Sequence, residues 1–573
     1  MSNIEVANYE VDISQTSEVY EDIHIYDEIK TRDKGIPNVY EDLDAGESKQ
    51  TRKQTCAVSA TYFSEFKENN RATISQQFKD LKILEKNAVT IPRLTDEPNR
   101  KRKDESYAHY ADATTLKGMN RGNTYIASRG PTQATSNDFL RMVWQKKPSA
   151  VISVYNSDDA LKSSSLSYCP ETLGSLRNFQ KFKVILLAIE QKSRYVARTL
   201  QIYKEKETLT VRQFEFQTWD ELSSAVEMNS FVEFVRRVAS LYSGHGSPIL
   251  VHSSGGEEMS GVFIGLSILL EEAATTGNVN VMECTKRMRE RRPQLIKTET
   301  EYSLLYEALN EVIQSETYIC KKKALKRKLE TEKTSILNEY KKIEMVTDQQ
   351  RQHTKDSWTD SAAILDGFYF LDSYRKRDQF IVGQAIEDHQ SEAFWTIAIS
   401  KNIQIIVILD SQQMSGFLPH SDETSVSFGK ILVDRVNSKC NQMIEVINIT
   451  VNGQPVVLMK INSWADGEVK GQPDNSSLLY YLSAVERQVQ YDTGGKICVM
   501  DSESGRKADI FVAAYNAMEK GNAEQLVDVY GSVLAVRSRN PNSAFTLEDY
   551  LYLYNLVLFS LSTYSWTHQH LLQ

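Results

Sequence analysis

The sequence predicts an α/β protein built twice over, with two tandem domains that are each a twisted mixed β-sheet flanked by helices. Three observations carry this. A chain of 573 residues exceeds what one hydrophobic core usually organises. Short apolar or alternating runs of strand type are interspersed with segments of helical period. The ordered series of such runs between about residues 107 and 315 recurs, more faintly, from about residue 370. Hydrophobic residues make up 41% and charged residues 25%, the balance of a globular chain. A net charge of −9 argues against nucleic acid as a partner, because phosphate backbones select basic faces. The six cysteines, at 56, 169, 284, 320, 440 and 498, show no CxxC or Cys/His spacing. Reduced thiols, no metal site and no cofactor are therefore expected. No run of about 18 apolar residues is expected to span a membrane, and the acidic N-terminus does not read as a signal peptide. The expected location is cytoplasmic, reached through a receptor partner or a longer isoform if it is membrane-associated.

Residues 1–55 are predicted to be a disordered acidic tail, low in apolar residues and without periodicity. Their one regularity is tyrosine in acidic context: Tyr20-Glu-Asp-Ile23, Tyr26-Asp-Glu-Ile29 and Tyr40-Glu-Asp-Leu43. Tyr-acidic-acidic-Ile/Leu resembles the ligands of SH2 domains, in which phosphotyrosine meets an Arg cluster and the +3 side chain fills a second pocket. Tyr20, Tyr26 and Tyr40 are thus candidate phosphorylation and docking sites for tyrosine kinases and SH2 proteins. The alternative is a tail that is simply solvated.

Residues 56–318 are read as the first domain with a helical lead-in, since apolar residues recur at three and four from Tyr62 to Leu84. Residues 319–345 form a basic helical linker, Lys321-Lys-Lys-Ala-Leu-Lys-Arg-Lys328, read as a solvated face or, alternatively, a lipid contact. Residues 346–573 are the second domain.

The segment Pro248–Glu272 organises the first domain. An apolar strand enters a small-residue turn that opens into an apolar helix, and such a junction favours an anion through its unpaired N–H groups and the helix dipole. It resembles the signature loop of protein tyrosine phosphatases, His-Cys-Ser-Ala-Gly-x-Gly-Arg-Thr-Gly. Further ordered matches are Tyr110-Ala-Asp-Ala-Thr114, Asn123 to Pro131, Tyr168-Cys-Pro170, Val211 to Trp219, Arg287 to Pro293 and Lys297 to Tyr302. The fainter series from Asp372 to Gln384, then Ile403 to Leu409, Val456 to Trp464 and Lys496 to Phe511 completes a second copy. Together they resemble the tandem cytoplasmic half of receptor-type members.

The resemblance implies a chemistry that needs a thiolate nucleophile, an Arg clamp, an acid Asp after Trp-Pro and a water-positioning Gln. In the first domain these positions hold Ser253, Met259, the Asp220-Glu221 pair and Lys297, and Glu257 and Glu258 place carboxylates where a dianion would sit. His252 is expected to support the loop from behind rather than act as a base for Ser253. In the second domain Asp501 stands at the Cys position, Lys507 at the Arg position, Asp466 in the acid loop and Phe545 near the Gln position. A capping carboxylate is the expected role of Asp501. The expected protein is a catalytically inactive signalling scaffold whose phosphatase-like domains bind protein partners. The alternatives are a phosphatase with residual activity and a decoy that sequesters phosphotyrosine.

Overall fold

The structure, a computed structural model, describes residues 58–59, 71–87, 113–118, 124–154, 167–192, 194–216, 225–242, 246–253, 258–353, 368–384, 386, 388–409, 416–419, 424–462, 464, 472–491, 495–501 and 505–562. The first repeat runs β1 (Val58–Ser59), α1 (Arg71–Asn87), β2 (Ala113–Lys117), β3 (Thr124–Arg129), α2 (Ser136–Lys146), β4 (Ala150–Val154), β5 (Leu176–Asn178), β6 (Lys183–Gln191), β7 (Tyr195–Lys204) and β8 (Glu207–Phe216). It continues through α3 (Ala225–Tyr242), β9 (Ile249–Ser253), α4 (Glu258–Thr276), β10 (Asn278–Val279), α5 (Val281–Arg291) and α6 (Glu299–Tyr318). After β11 (Cys320–Lys321), α7 (Leu325–Thr331) and α8 (Lys333–His353), the second repeat begins with β12 (Tyr369–Leu371), β13 (Phe380–Gln384), α9 (Ser391–Ser400) and β14 (Ile403–Ile408). Its remainder is β15 (Ser425–Phe428), β16 (Ile431–Cys440), β17 (Ile444–Val451), β18 (Gln454–Ile461), α10 (Asn475–Tyr491), β19 (Lys496–Asp501), α11 (Arg506–Glu524), β20 (Leu526–Val527), α12 (Val529–Arg539) and α13 (Leu547–Ser562).

Each repeat builds one eight-stranded mixed sheet, and the two orders coincide: β2-β3-β9-β4-β8-β7-β6-β5 and β12-β13-β19-β14-β18-β17-β16-β15. In both, the four strands around the centre are parallel and the rest antiparallel. The centre is mostly apolar because helices cover both faces: β4 and β9 are buried at every position, their polar Ser153, His252 and Ser253 included. One face of the first sheet packs Ile152 and Val251 against Phe231, Val262, Phe263 and Leu305 of the surrounding helices. The other packs Ile126, Val151 and Leu250 against Phe139, Leu140 and Val143 of α2. The second sheet repeats the division, with Phe394 and Trp395 of α9 on one face and Phe511 and Val512 of α11 on the other.

Three expectations change. The lead-in is not helical throughout, because Val58 and Ser59 form a strand paired with Val279 and Asn278; Arg71–Asn87 is a helix, and Tyr62 to Phe66 lie outside the described residues. The basic linker is not a uniformly solvated face. Leu325, Ile336 and Ile343 enter the core of the second repeat, carrying Lys328 with them to 3% exposure. Lys328 is ion-paired there with the buried Glu339 at 2.8 Å, and Glu339 also accepts from the Tyr550 and Tyr554 hydroxyls. Finally, Met259–Thr276 is long and apolar enough by length and composition to cross a membrane. In this fold it is most of α4, the buried helix that packs on β9 and β3. The close packing of α4 explains Gly261: a Cβ there would lie 3.1 Å from the Ile296 nitrogen and 3.2 Å from Ile296 Cγ1.

The repeats also touch. Lys520 of α11 bonds to Glu233 of α3 and, at 2.6 Å, to Asp528, while Arg237 reaches Glu524 at 3.3 Å and Arg194 reaches Asp372 at 2.7 Å.

Candidate functional site

The parallel register brings the sequence-predicted centres to equivalent places. Ser253 is the last residue of β9 and pairs with Arg129 of β3, and Asp501 is the last residue of β19 and pairs with Gln384 of β13. Both stand at the C-terminal end of a central strand, immediately before a long helix, which is where open α/β sheets place ligands.

In the first repeat Ser253 is 4% exposed. Its carbonyl accepts from the Gly130 N–H at 2.7 Å, and its hydroxyl accepts from Ser260 Oγ at 3.0 Å. An alcohol in this position has no stabilising cation from Met259. That side chain is 6% exposed and belongs to the apolar core between sheet and helices. The position that would need a guanidinium therefore faces inward on a thioether. His252, fully buried, has its Nε2 2.9 Å from Ser153 Oγ and 3.0 Å from the Tyr168 hydroxyl. Burial pushes its pKa down to about 3, so the imidazole is neutral at physiological pH. Ser153 in turn accepts from Gln213 Nε2 at 3.0 Å, Gln213 Oε1 accepts from Arg198 at 2.9 Å, and Arg198 pairs with Glu215 at 2.8 Å. This polar chain ties the imidazole to β4 and β8.

Lys297 has an exposed side chain, and its N–H donates to Glu301 Oε2 at 2.7 Å. It precedes a capping box, Thr298-x-x-Glu301, in which the Glu301 N–H donates to Thr298 Oγ1 at 3.1 Å. Asp220, Glu221, Glu257 and the Ser254–Gly256 turn lie outside the described residues, as does the side chain of Glu258. Tyr20, Tyr26, Tyr40 and Asp466 lie outside them too.

In the second repeat the carboxylate of Asp501 sits in the junction itself. Its oxygens accept from the N–H groups of Gly505 at 3.1 Å, Lys507 at 3.0 Å and Ala508 at 3.3 Å. Three N–H groups of the strand–helix junction are thus engaged by the chain's own carboxylate. Burial pushes Asp501 up to about 6, with the three amides and Lys507 pulling the other way. Gly505 adopts φ +75, the left-handed turn that lets the strand double back on the helix. Lys507, at the Arg position, contributes its N–H to Asp501 and is half-buried. Phe545 is 4% exposed and packs in the core of the second repeat.

Two carboxylates that the sequence reading does not single out complete this site. Asp509 is fully buried and accepts from the Tyr369 hydroxyl and from Asn540 Nδ2 at 3.1 Å. Burial pushes it up to about 7, and the Asp501 charge acts in the same direction. Asp549, also fully buried, takes two bonds from Arg506, at 2.9 and 2.8 Å, and one from Gln472 at 2.7 Å. A signal for Asp549 exists in the sequence: Thr546-x-x-Asp549 is the counterpart of Thr298-x-x-Glu301 and caps α13. It places Phe545 and Lys297 at matching positions. Among the described residues no group of three or more His, Cys, Asp or Glu side chains is placed to hold a metal ion.

Comparison with known proteins agrees with this geometry. The family model described as protein-tyrosine phosphatase matches twice, over residues 73–311 and 330–559. The chain is 24% identical over 506 residues to mouse receptor-type tyrosine-protein phosphatase epsilon, covering 78% of this chain and 71% of that protein. It is 22% identical over 554 residues to the human receptor-type phosphatase alpha, covering 88% and 67%. To the chicken receptor-type phosphatase U it is 22% identical over 523 residues, covering 83% and 36%.

Proposed function

Because this chain belongs to the protein-tyrosine phosphatase family and carries its domain twice, as receptor-type members do, we propose that it is a catalytically inactive signalling scaffold on the cytoplasmic side of the membrane. The observation that carries this reading is the occupancy of the second cradle by Asp501, matched in the first by an apolar Met259 turned into the core. Thiolate attack needs a sulfur whose ionisation the loop stabilises, and Ser253 offers an alcohol hydrogen-bonded to another alcohol. Clamping a phosphoryl dianion needs a forked cation, and neither Met259 nor Lys507 is one. His252 does not rescue the serine as a base, since burial keeps it neutral well below physiological pH and its Nε2 serves Ser153 and Tyr168.

The scaffold role lies in the tail, where phosphorylated Tyr20, Tyr26 and Tyr40 would recruit SH2 proteins, with the folded domains holding a further protein partner. The decisive experiment is aryl-phosphate hydrolysis by the purified full chain. The expected rate equals that of Ser253→Ala, and vanadate-sensitive turnover lost in Ser253→Ala would establish an enzyme instead. For the tail, phosphorylated peptides spanning Tyr20–Ile29 should retain SH2 domains that their unphosphorylated forms do not, and equal retention by both would remove the docking role.

A further inference from the structure

The end of the second sheet opposite Asp501 gathers positive charge. There β13, β14 and β19 begin, at Phe380, Ile403 and Lys496. The ammoniums of Lys496 and Lys401 lie 5.1 and 6.0 Å from the centroid of the Phe370 ring. Lys496 Nζ donates to the Asp378 carbonyl at 2.6 Å, and Lys376 Nζ donates to the carbonyl of Gly495, the neighbour of Lys496, at 3.4 Å. Burial pushes Lys496 below its ordinary value, Asp378 and Asp372 oppose that shift, and the like charges of Lys376 and Lys401 add to it. The acids close by do not balance the bases. Asp372 is drawn off by Arg194 of the first repeat at 2.7 Å, and Glu519 takes Arg375 at 3.3 Å. Lys376, Lys401 and Lys496, with the exposed Arg377 on the same turn, are left against the carboxylate of Asp378. Asp492 lies outside the described residues.

The fold does not require this cluster. The strand registers match Lys496 to Pro248 and Phe370 to Thr115, while Lys401 matches Lys147 at the end of α2. The first repeat therefore builds the same edge with neither the charge of Lys496 nor the ring of Phe370. Holding three ammoniums together costs repulsion that a bound dianion would remove, and lysine serves phosphate as a point charge. We propose that Lys376, Lys401 and Lys496, beside the Phe370 ring, form an anion site of the second repeat that takes a phosphate monoester. That chemistry is shared by a soluble phosphate ester and by the phosphorylated headgroup of a membrane lipid. The site is separate from the junction that Asp501 occupies: β19 runs from Lys496 to Asp501, so the two ends are roughly 17 Å apart. A ligand here leaves Asp501 on its three amides.

Inorganic phosphate tests this on the full chain. At constant ionic strength, replacing chloride by phosphate should raise the thermal midpoint saturably. In Lys401→Gln and in Lys496→Met, the phosphate concentration giving half of that rise should increase about tenfold, the loss of one charge-assisted bond. Lys401→Arg should retain the response. So should Lys147→Asn, at the matching helix end of the first repeat, where asparagine accepts the positive φ. Each variant is compared with itself in two salts, so its own stability does not enter. Cosedimentation with phosphatidylcholine vesicles, plain or containing phosphatidylinositol bisphosphate, separates the sources. Retention on the bisphosphate vesicles alone, lost in Lys401→Gln, assigns a lipid headgroup, and a saturable phosphate response without retention assigns a soluble ester. The proposal is overturned by a midpoint that phosphate does not raise saturably. It is equally overturned by a response that Lys401→Gln and Lys496→Met leave intact, which would place the anion elsewhere.

Discussion

The carboxylate in the second cradle makes a quantitative prediction. Burial raises Asp501 from an ordinary 3.8 to about 6. A carboxyl raised by folding holds its proton more tightly in the native chain than in the unfolded one. Its stabilising contribution is therefore fully present below about pH 3.8 and is lost as pH rises through about 6. At pH 8 both states are ionised and the contribution is near zero. At pH 5 the native state is largely protonated and the unfolded one is not, a difference on the order of 1 kcal/mol. Asparagine cannot titrate. At pH 8, Asp501→Asn should lower stability by on the order of 1 kcal/mol, through the weakened bonds to Gly505, Lys507 and Ala508. At pH 5 the deficit should widen by a further amount on the order of 1 kcal/mol. Urea unfolding followed by tryptophan fluorescence reads both numbers, because Trp395 is fully buried in the second repeat. A deficit that stays constant between the two pH values, or that narrows at pH 5, would refute the burial-raised titration of Asp501.

Other consequences follow from the same packing. Met259→Ala should cost about 2–5 kcal/mol, the range for emptying a buried methionine site, whereas a solvent-facing loop residue would cost little; thermal unfolding distinguishes the two. Lys520→Met leaves Asp528 buried and Glu233 half-buried without their shared cation, and should destabilise by about 3 kcal/mol with faster proteolytic cleavage between the repeats. His252, held neutral by burial down to about pH 3, makes the native state bind fewer protons than the unfolded one. Stability should therefore fall as pH drops from about 6.5 toward 3, and His252→Gln, measured by urea unfolding across that window, should flatten that part of the profile.

Much of the architecture was legible because its signals are local. Short apolar runs such as Ile249 to Val251 and Ile405 to Ile408 read as strands covered on both faces, and the tandem order shows in their repetition. Ser253 and Asp501 were legible for the same reason, since each closes such a run. What stayed hidden depends on contacts distant in sequence. Lys328 reads as solvated until Glu339, Tyr550 and Tyr554 surround it. Asp509 looks like an ordinary first-turn helix acid, and only the fold brings Tyr369 and Asn540 to it. The inward turn of Met259 has no sequence signature either, because an apolar residue in the first turn of an apolar helix can face the core or the loop.

The two repeats differ in what would be needed to restore an anion site. In the second repeat the obstacle is an anion already present, so any phosphoryl ligand must first displace Asp501 from three amides that hold it at 3.0–3.3 Å. Removing that side chain would expose donors without supplying a nucleophile. In the first repeat the obstacle is a missing cation whose position has become part of the core. Ser253→Cys alone supplies sulfur to a loop without a guanidinium, and should remain inert toward aryl phosphates. Adding Met259→Arg supplies the cation only if the new side chain leaves the apolar pocket that Met259 fills. The double variant should therefore show a loss of stability comparable to Met259→Ala whether or not it gains turnover. A double variant as stable as the parent would mean that Met259 already points into the loop, and the reading of a cradle closed from within would fail in the first repeat while standing in the second.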